Sequence, residues 1–267
     1  MKKLLFALLS LTAAGTLSAQ STNYYITAGD QNLGFIVRNG AIQSTFALAG
    51  NALSAEYALR VSASGLVIAD RDGGKTTSYS LTGVAGATQS NSPQSLDQFL
   101  DGGTDGTFTY AARCCSSANG IYRGDMNFGG MSLFATAGGT NASGVTYANG
   151  SVFSSWFDGA IREYSGAGLL LNTYNLGLGG AVSGLAFESS TNSLWFYING
   201  GSTIYNYTLT GQRIGALQIA GLSSYNAFGG EMVAGAGVPS TVPEPSTYVL
   251  MAAGLASIAA VSRRRKA

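Results

Sequence analysis

The chain has 267 residues, of which only 10% are charged, and it contains 38 glycines and no histidine. This length holds one large domain or two small ones, and the glycine load suits strands and tight turns more than a helical enzyme. The formal charge of +1 comes from the ends. Between Gln20 and Pro239, eight basic residues face twelve acidic ones, so the body carries about −4 and a basic nucleic-acid face is excluded.

The first element is MKKLLFALLSLTAAGTLSAQ. Lys2 and Lys3 make a positive start, Leu4 to Ala14 an apolar stretch, and Thr16 to Ala19 a run of small residues. That layout predicts a helical secretory signal over residues 1–19, cut after Ala19, with Ser18 as the alternative because Leu17 fits the first site imperfectly. The apolar stretch is short for a membrane span. The body is therefore expected outside the cytoplasm.

Beyond it, NYYITAGDQNLGFIVRNGAIQSTFALAG predicts three strands, near Tyr24 to Ala28, Gly34 to Arg38 and Ala41 to Leu48. Glu56 to Ser90 predicts four, including SYSLTG. Gly106 to Gly138 predicts another four. Ser143 to Gly177 and Ser183 to Gly221 are near copies offset by 40 residues. Each opens Ser-Gly-aliphatic, passes through an aromatic strand to an Asp-Gly or Asn-Gly turn, and continues Ile-X-X-Tyr to a fourth apolar strand. NYTLTG in the last copy is a near twin of SYSLTG.

Four short strands per 40-odd residues is the unit of a β-propeller blade. The three-strand start can borrow its innermost strand from FGGEMVAG, Phe228 to Gly235, which would close the ring and remove open sheet edges. The sequence thus predicts an all-β, five-bladed propeller over residues 20–238. A sixth blade would need strands hidden in Thr82 to Gly103. A β-sandwich also shows alternation, but it explains neither the 40-residue period nor the split first blade.

Few residues point to chemistry. DRDGG (Asp70 to Gly74) and DGGTDG (Asp101 to Gly106) have some of the look of calcium loops but lack the ligand spacing and the closing bidentate Glu. Asp70 to Gly73, Asp158-Gly159 and Asn199-Gly200 recur between second and third strands, where hairpins favour such pairs; DGGTDG lies outside that register. Cys114 and Cys115 are adjacent, with Cα atoms ~3.8 Å apart across a trans peptide. A bridge between them would be local and would join no blades; free or intermolecular thiols are the other states. Trp156, Phe157, Trp195, Phe196, Tyr197, Tyr164, Tyr207 and Tyr79 are read as packing between blades at equivalent repeat positions. A stacking platform for a sugar is looked for instead at Tyr225 or Phe228.

The lack of histidine removes the commonest general base and transition-metal ligand. Glu231, Glu188 and Asp125 are the acids expected in or near innermost strands, with Glu188 starting a loop and Asp125 at a strand end. Glu188 and Glu231 are the weak metal candidates for the alternative function, a metal-dependent propeller hydrolase or lactonase with a central-channel site. No Gly-X-Ser-X-Gly elbow or phosphate loop accompanies them. No catalytic residue and no cofactor is assigned.

The chain closes with VPEPSTYVLMAAGLASIAAVSRRRKA. Thr247 to Val261 is uncharged and predicts a single transmembrane helix of about 22 Å, short of a ~30 Å hydrocarbon core unless flanking arginines snorkel. Arg263, Arg264, Arg265 and Lys266 would stay cytoplasmic and fix its orientation. Proline keeps Val242, Pro243, Glu244, Pro245 and Ser246 extended and outside the helix.

The order of motif, helix and basic end over residues 239–267 resembles the PEP-CTERM sorting signal of Gram-negative bacteria. The resemblance implies a signal peptidase and an exosortase-type processing enzyme as partners, with Pro243-Glu244-Pro245 as the recognition element. It also implies transit through the inner membrane and a destination at the cell surface or extracellular matrix, where the propeller would be a structural or binding module for extracellular polysaccharide or surface proteins.

Overall fold

The computed structural model describes residues 20, 22–49, 56–71, 74–90, 98–115, 118–136 and 140–233. The chain divides at Ala234/Gly235 into two units, and everything below concerns the first. The signal segment with Ala19, the sorting residues Val242 to Ser246, the expected helix Thr247 to Val261 and the basic end Arg263 to Lys266 lie outside the described residues. Among the described residues no helix is long and apolar enough to cross a membrane.

Among the described residues, twenty strands form five four-stranded antiparallel sheets. The first blade holds β1 (Tyr24–Ala28), β2 (Leu33–Arg38) and β3 (Ala41–Ala47); the second β4 (Glu56–Ser62), β5 (Gly65–Asp70), β6 (Lys75–Tyr79) and β7 (Ala85–Ser90). The third holds β8 (Phe99–Thr104), β9 (Thr109–Arg113), β10 (Gly120–Gly124) and β11 (Ser132–Ala135); the fourth β12 (Ala142–Ala148), β13 (Ser151–Trp156), β14 (Ala160–Tyr164) and β15 (Leu170–Asn175). The fifth is β16 (Val182–Glu188), β17 (Ser193–Ile198), β18 (Thr203–Thr208) and β19 (Arg213–Gln218), and β20 (Gly229–Met232) follows it. β20 returns to pair with β1, Tyr24 opposite Met232 and Thr27 opposite Gly229, so both ends of the propeller share one blade.

The innermost strands β20, β4, β8, β12 and β16 neighbour one another around the axis. They are buried on both faces, while the outermost strand β7 is exposed throughout. One apolar cluster fills each gap between blades. Trp195, Tyr197 and Ile204 meet Ile26, Phe35 and Val37, and Tyr25 and Ile36 meet Leu59, Ile68 and Tyr79. Val67 and Ala69 meet Phe99 and Phe128, Tyr110 and Ile121 meet Val152 and Trp156, and Phe153 and Ile161 meet Leu194, Phe196 and Tyr207. Burying both faces of each sheet is the main stabilising term in this architecture.

The turn from third to fourth strand repeats too. Ser80 Oγ accepts the N–H groups of Thr82 (3.3 Å) and Val84 (3.1 Å), Ser165 Oγ those of Ala167 (3.3 Å) and Leu169 (3.2 Å), and Asp125 Oδ1 those of Asn127 (2.8 Å) and Gly129 (2.7 Å). Three residues on, the backbone is left-handed: Gly83 at φ 82°, Gly168 at 80°, and in the third blade Phe128 at 59°.

The third blade departs from expectation. Among the described residues only β9, β10 and β11 lie within Gly106 to Gly138, and the innermost strand β8 comes from the preceding segment, so the strands that begin within Thr82 to Gly103 belong to the second and third blades and not to a sixth. Asp101-Gly102-Gly103 has the composition of a turn, but here the glycines serve close approach at the axis. A Cβ on Gly102 would lie 2.9 Å from Leu59 O, and one on Gly103 2.9 Å from Val145 O.

Candidate functional site

Strand pairing explains what stands at the axis. Asp101 lies opposite Ala112, which lies opposite Ile121; Gly144 lies opposite Ser155, which lies opposite Ile161. Asp101 therefore occupies the level at which the next blade has Gly144, and a Cβ on that glycine would sit 3.1 Å from Asp101 Oδ2. Each of β4, β8, β12 and β16 carries a register shift near its start, a local kink that turns backbone groups out of the sheet ladder. The Asp101 carboxylate uses them. Its Oδ2 accepts the N–H groups of Val145 (3.1 Å) and Leu185 (3.0 Å), and its Oδ1 accepts that of Gly230 (2.8 Å). One side chain from β8 thus binds backbone on β12, β16 and β20.

Glu231 enters the same centre from β20. Its Oε2 accepts the Thr146 hydroxyl at 2.9 Å and its Oε1 the Met232 N–H at 2.9 Å. Tyr24 donates its hydroxyl to Gly184 O, and Tyr197 donates to Gly229 O at 3.1 Å. All four side chains are buried. Burial pushes the Asp101 carboxyl well above the usual range, and the Glu231 charge adds to this, while the N–H groups of Gly230, Val145 and Gly102 oppose it. Burial likewise raises Glu231 to about 8 against its hydrogen bonds from Met232, Thr146 and Phe187. Tyr24 and Tyr197 are driven up by burial and by the neighbouring acids. Burial disfavours the charged form of an acid.

The two metal candidates do not meet in one site. Glu188 ends β16 rather than starting a loop. It holds the N-terminal approach to the propeller: Oε1 accepts from Thr22 N (3.0 Å) and Thr22 Oγ1 (2.8 Å), and Oε2 from Thr191 Oγ1 (2.9 Å) and Trp195 Nε1 (2.9 Å). Asp125 caps its own turn just past β10. Among the described residues no group of three or more His, Cys, Asp or Glu is placed to hold a metal ion. Asp101, the acid with the most central position, was hidden in the sequence by its Asp-Gly context; aligning it with Gly144 in the repeat register is the signal that finds it.

Cys114 and Cys115 are joined by a disulfide between neighbours 3.8 Å apart at Cα. Cys114 is buried beside Tyr57 and Leu100, with Phe157 and Phe228 packed on them. The aromatic residues split by blade face. Trp156, Trp195, Phe196, Tyr197, Tyr164, Tyr207 and Tyr79 are buried. The two tryptophans are not equivalent, however. Val152 faces Tyr164 and Leu194 faces Tyr207, so Phe153 matches Trp195 and Trp156 matches Ile198. Tyr225 packs on Phe35 at 4.8 Å between centroids and Phe228 stands edge-on to Tyr57 at 5.4 Å, both half-buried, so neither offers an open stacking face.

These features define a closed-axis, five-bladed propeller joined in sequence to a tail. Residues 241–266 match the PEP-CTERM protein-sorting motif. That motif implies an exported protein, held at the membrane in transit and processed by an exosortase-type enzyme. No curated protein matches the chain. Among solved structures, a chain of a nidogen–laminin complex is 12% identical with a TM-score of 0.55, covering 80% of this chain and 98% of that one. Glutaminyl cyclase of Myxococcus xanthus is 13% identical with a TM-score of 0.50, covering 64% and 73%. Virginiamycin B lyase of Staphylococcus aureus is 19% identical with a TM-score of 0.46, covering 64% of this chain and 57% of the lyase. The first two likenesses speak to the fold alone.

Proposed function

We propose that this protein is secreted through residues 1–19 and held in the inner membrane by Thr247 to Val261. It is then processed near Pro243-Glu244-Pro245, and the propeller acts as a structural or binding module at the cell surface or in the surrounding matrix. The observation that carries this reading is the sorting motif at residues 241–266. The extracellular partner would be polysaccharide or another surface protein.

Binding is favoured over catalysis by the filled axis. Propeller hydrolases as a class need an open channel with carboxylate oxygens free for an ion. Here both side chains are buried and turned onto the protein itself, Asp101 to three backbone N–H groups and Glu231 to Thr146 and Met232. The hydrolase reading keeps one supporting observation, a buried carboxyl at Glu231 raised to about 8, since shifted acids gather at active sites.

The test is C-terminal peptide mapping by mass spectrometry on protein recovered from outside its native cells. Loss of everything after the Pro243 region is expected. An intact Arg263 to Ala267 end, found only in the membrane fraction, would mean a permanent anchor and defeat the sorting reading.

A further inference from the structure

A cavity of about 140 Å³ opens between the fourth and fifth blades, lined by Ala148, Asn149, Ser151, Phe153, Glu163, Tyr174, Leu209 and Thr210. It lies away from the axis: the turn before β13 and the outer strands β14 and β15 form one wall, and the turn after β18 forms the other. Glu163, on β14, supplies its one carboxylate. Glu163 Oε1 accepts from Ser151 Oγ at 2.9 Å, and Oε2 accepts from Asn172 Nδ2 and Tyr174 Oη, each at 2.8 Å. A carboxylate offers about four lone-pair positions, so three are taken and one, on Oε1, is open.

No described cation pairs with this group. The neighbouring Arg162 is engaged elsewhere, on Asp158 at 2.6 Å. Burial works against the Glu163 charge, but the hydrogen bonds from Asn172, Tyr174 and Ser151 outweigh it and hold the carboxyl below its usual range. The result is an oriented carboxylate with one open lone-pair position and no described counterion at the side of a cavity. Around it, Phe153, Leu209 and the Tyr174 ring make apolar walls, and Asn149, Ser151 and Thr210 bring hydroxyl and amide groups. Both rims are fixed: Asn149 Nδ2 donates to Asn192 Oδ1 of the fifth blade at 2.7 Å, and a Cβ on Gly211 would meet Tyr174 Cβ at 2.8 Å, so the turn sits directly on that ring.

We infer that this inter-blade cavity binds one amine-bearing sugar residue, its ammonium on Glu163 and its hydroxyls on the Asn149, Ser151 and Thr210 rim. The volume decides the size of the ligand, since it falls below the roughly 300–1,000 Å³ of sites for drug-sized molecules and suits a single ring. Charge decides the amine, and the polar rim favours a sugar over the bare side chain of a lysine. The inference rests on the reading of the propeller as an extracellular binding module and names the substrate class for it.

The experiment is titration of the full-length chain, in a mild non-ionic detergent, with glucosamine, glucose, N-acetylglucosamine and butylammonium, followed calorimetrically. Glucosamine should bind at least ten-fold tighter than each of the other three. Glu163→Gln should bring glucosamine down to the level of glucose, and Leu209→Trp, which fills the cavity without touching the carboxylate, should abolish binding. Equal affinity for the three sugars, or glucosamine binding unchanged in both variants, overturns the inference. Butylammonium binding as tightly as glucosamine overturns the sugar and marks a lysine-recognising site instead. The sorting reading stands or falls separately, on peptide mapping of the tail.

Discussion

Asp101 Oδ1 accepts the Gly230 N–H at 2.8 Å across the propeller axis, joining the innermost strand of the third blade to the strand that closes the ring. Its other oxygen reaches Val145 and Leu185. A bond of this kind to a charged or strongly polar group contributes about 1.5–3 kcal/mol, and an orphaned buried donor costs about 1–3. Asp101→Asn keeps the shape but replaces one acceptor oxygen with an NH2 group that faces backbone donors. It is expected to lower unfolding stability by at least about 2 kcal/mol, read as a lower urea midpoint at unchanged m-value. A midpoint equal to wild type would show that the three bonds do not hold the ring.

Glu231 links stability to pH. Its folded carboxyl sits at about 8 against an ordinary 4.5, so the folded state binds the extra proton. Its contribution is fully present below about pH 4.5 and declines as pH rises towards 8, by up to about 5 kcal/mol at 1.36 kcal/mol per unit. Asp101, also raised, acts in the same direction. Glu231→Gln should flatten the fall in urea midpoint between pH 5 and pH 8. A wild-type midpoint that climbs over that window contradicts the assignment.

Closure of the ring tests close approach against backbone conformation. A Cβ at Gly230 would lie 2.7 Å from Gly184 Cα and 2.9 Å from Gly184 O, backbone that cannot swing aside. Gly150 has φ 91° but nothing within 4 Å of its would-be Cβ. Gly150→Ala should cost only the left-handed penalty of about 1–2 kcal/mol. Gly230→Ala carries no left-handed penalty but overpacks a buried ladder against rigid backbone, which costs about 1–3 kcal/mol and occasionally more, and it should be the larger of the two losses. Thermal unfolding of the two variants side by side gives the order.

Much of this architecture is legible in the sequence because a blade repeats its chemistry. SYSLTG and NYTLTG mark the same turn, and the Val152–Tyr164, Leu194–Tyr207 and Leu66–Tyr79 pairs occupy the same level and face in three blades. What composition cannot convey is parity. Trp156 and Trp195 look interchangeable, yet their positions differ by three residues in the strand register, an odd number, and a strand turns successive side chains to opposite faces. Trp156 therefore packs towards the third blade and Trp195 towards the first. Asp101-Gly102-Gly103 is misleading for a related reason: the residues that make a good turn are also those that let five strands crowd an axis, and only tertiary context separates the two.

The Cys114–Cys115 bridge encloses no chain and spans no blade boundary. Disulfides that stabilise through chain entropy do so by closing loops, and this one closes none. Local ties hold the segment besides: Cys114 N–H donates to Gln98 O at 3.2 Å, and Cys115 N–H to Asn141 Oδ1 at 3.2 Å. Reduction with a dithiol should leave near-ultraviolet circular dichroism intact and shift Tm by no more than a few degrees, about 1 kcal/mol on this size of domain. Cooperative unfolding on reduction would assign the bridge a global role.

Phe128 sets two effects of opposite sign against each other. Its φ of 59° occupies the turn position that Gly83, Gly168 and Gly211 fill in other blades, and relief of that conformation by glycine is worth about 1–2 kcal/mol. Its ring, fully buried, packs with Val67, Ala69 and Phe99 between the second and third blades, and deleting a buried phenylalanine costs about 3–5 kcal/mol. Packing outweighs strain, so Phe128→Gly should destabilise by about 1–4 kcal/mol net, despite restoring the turn residue the other blades use. A stability gain in urea unfolding would mean that the ring is not anchoring that gap, and would place the burden on Met131 and Phe99 instead.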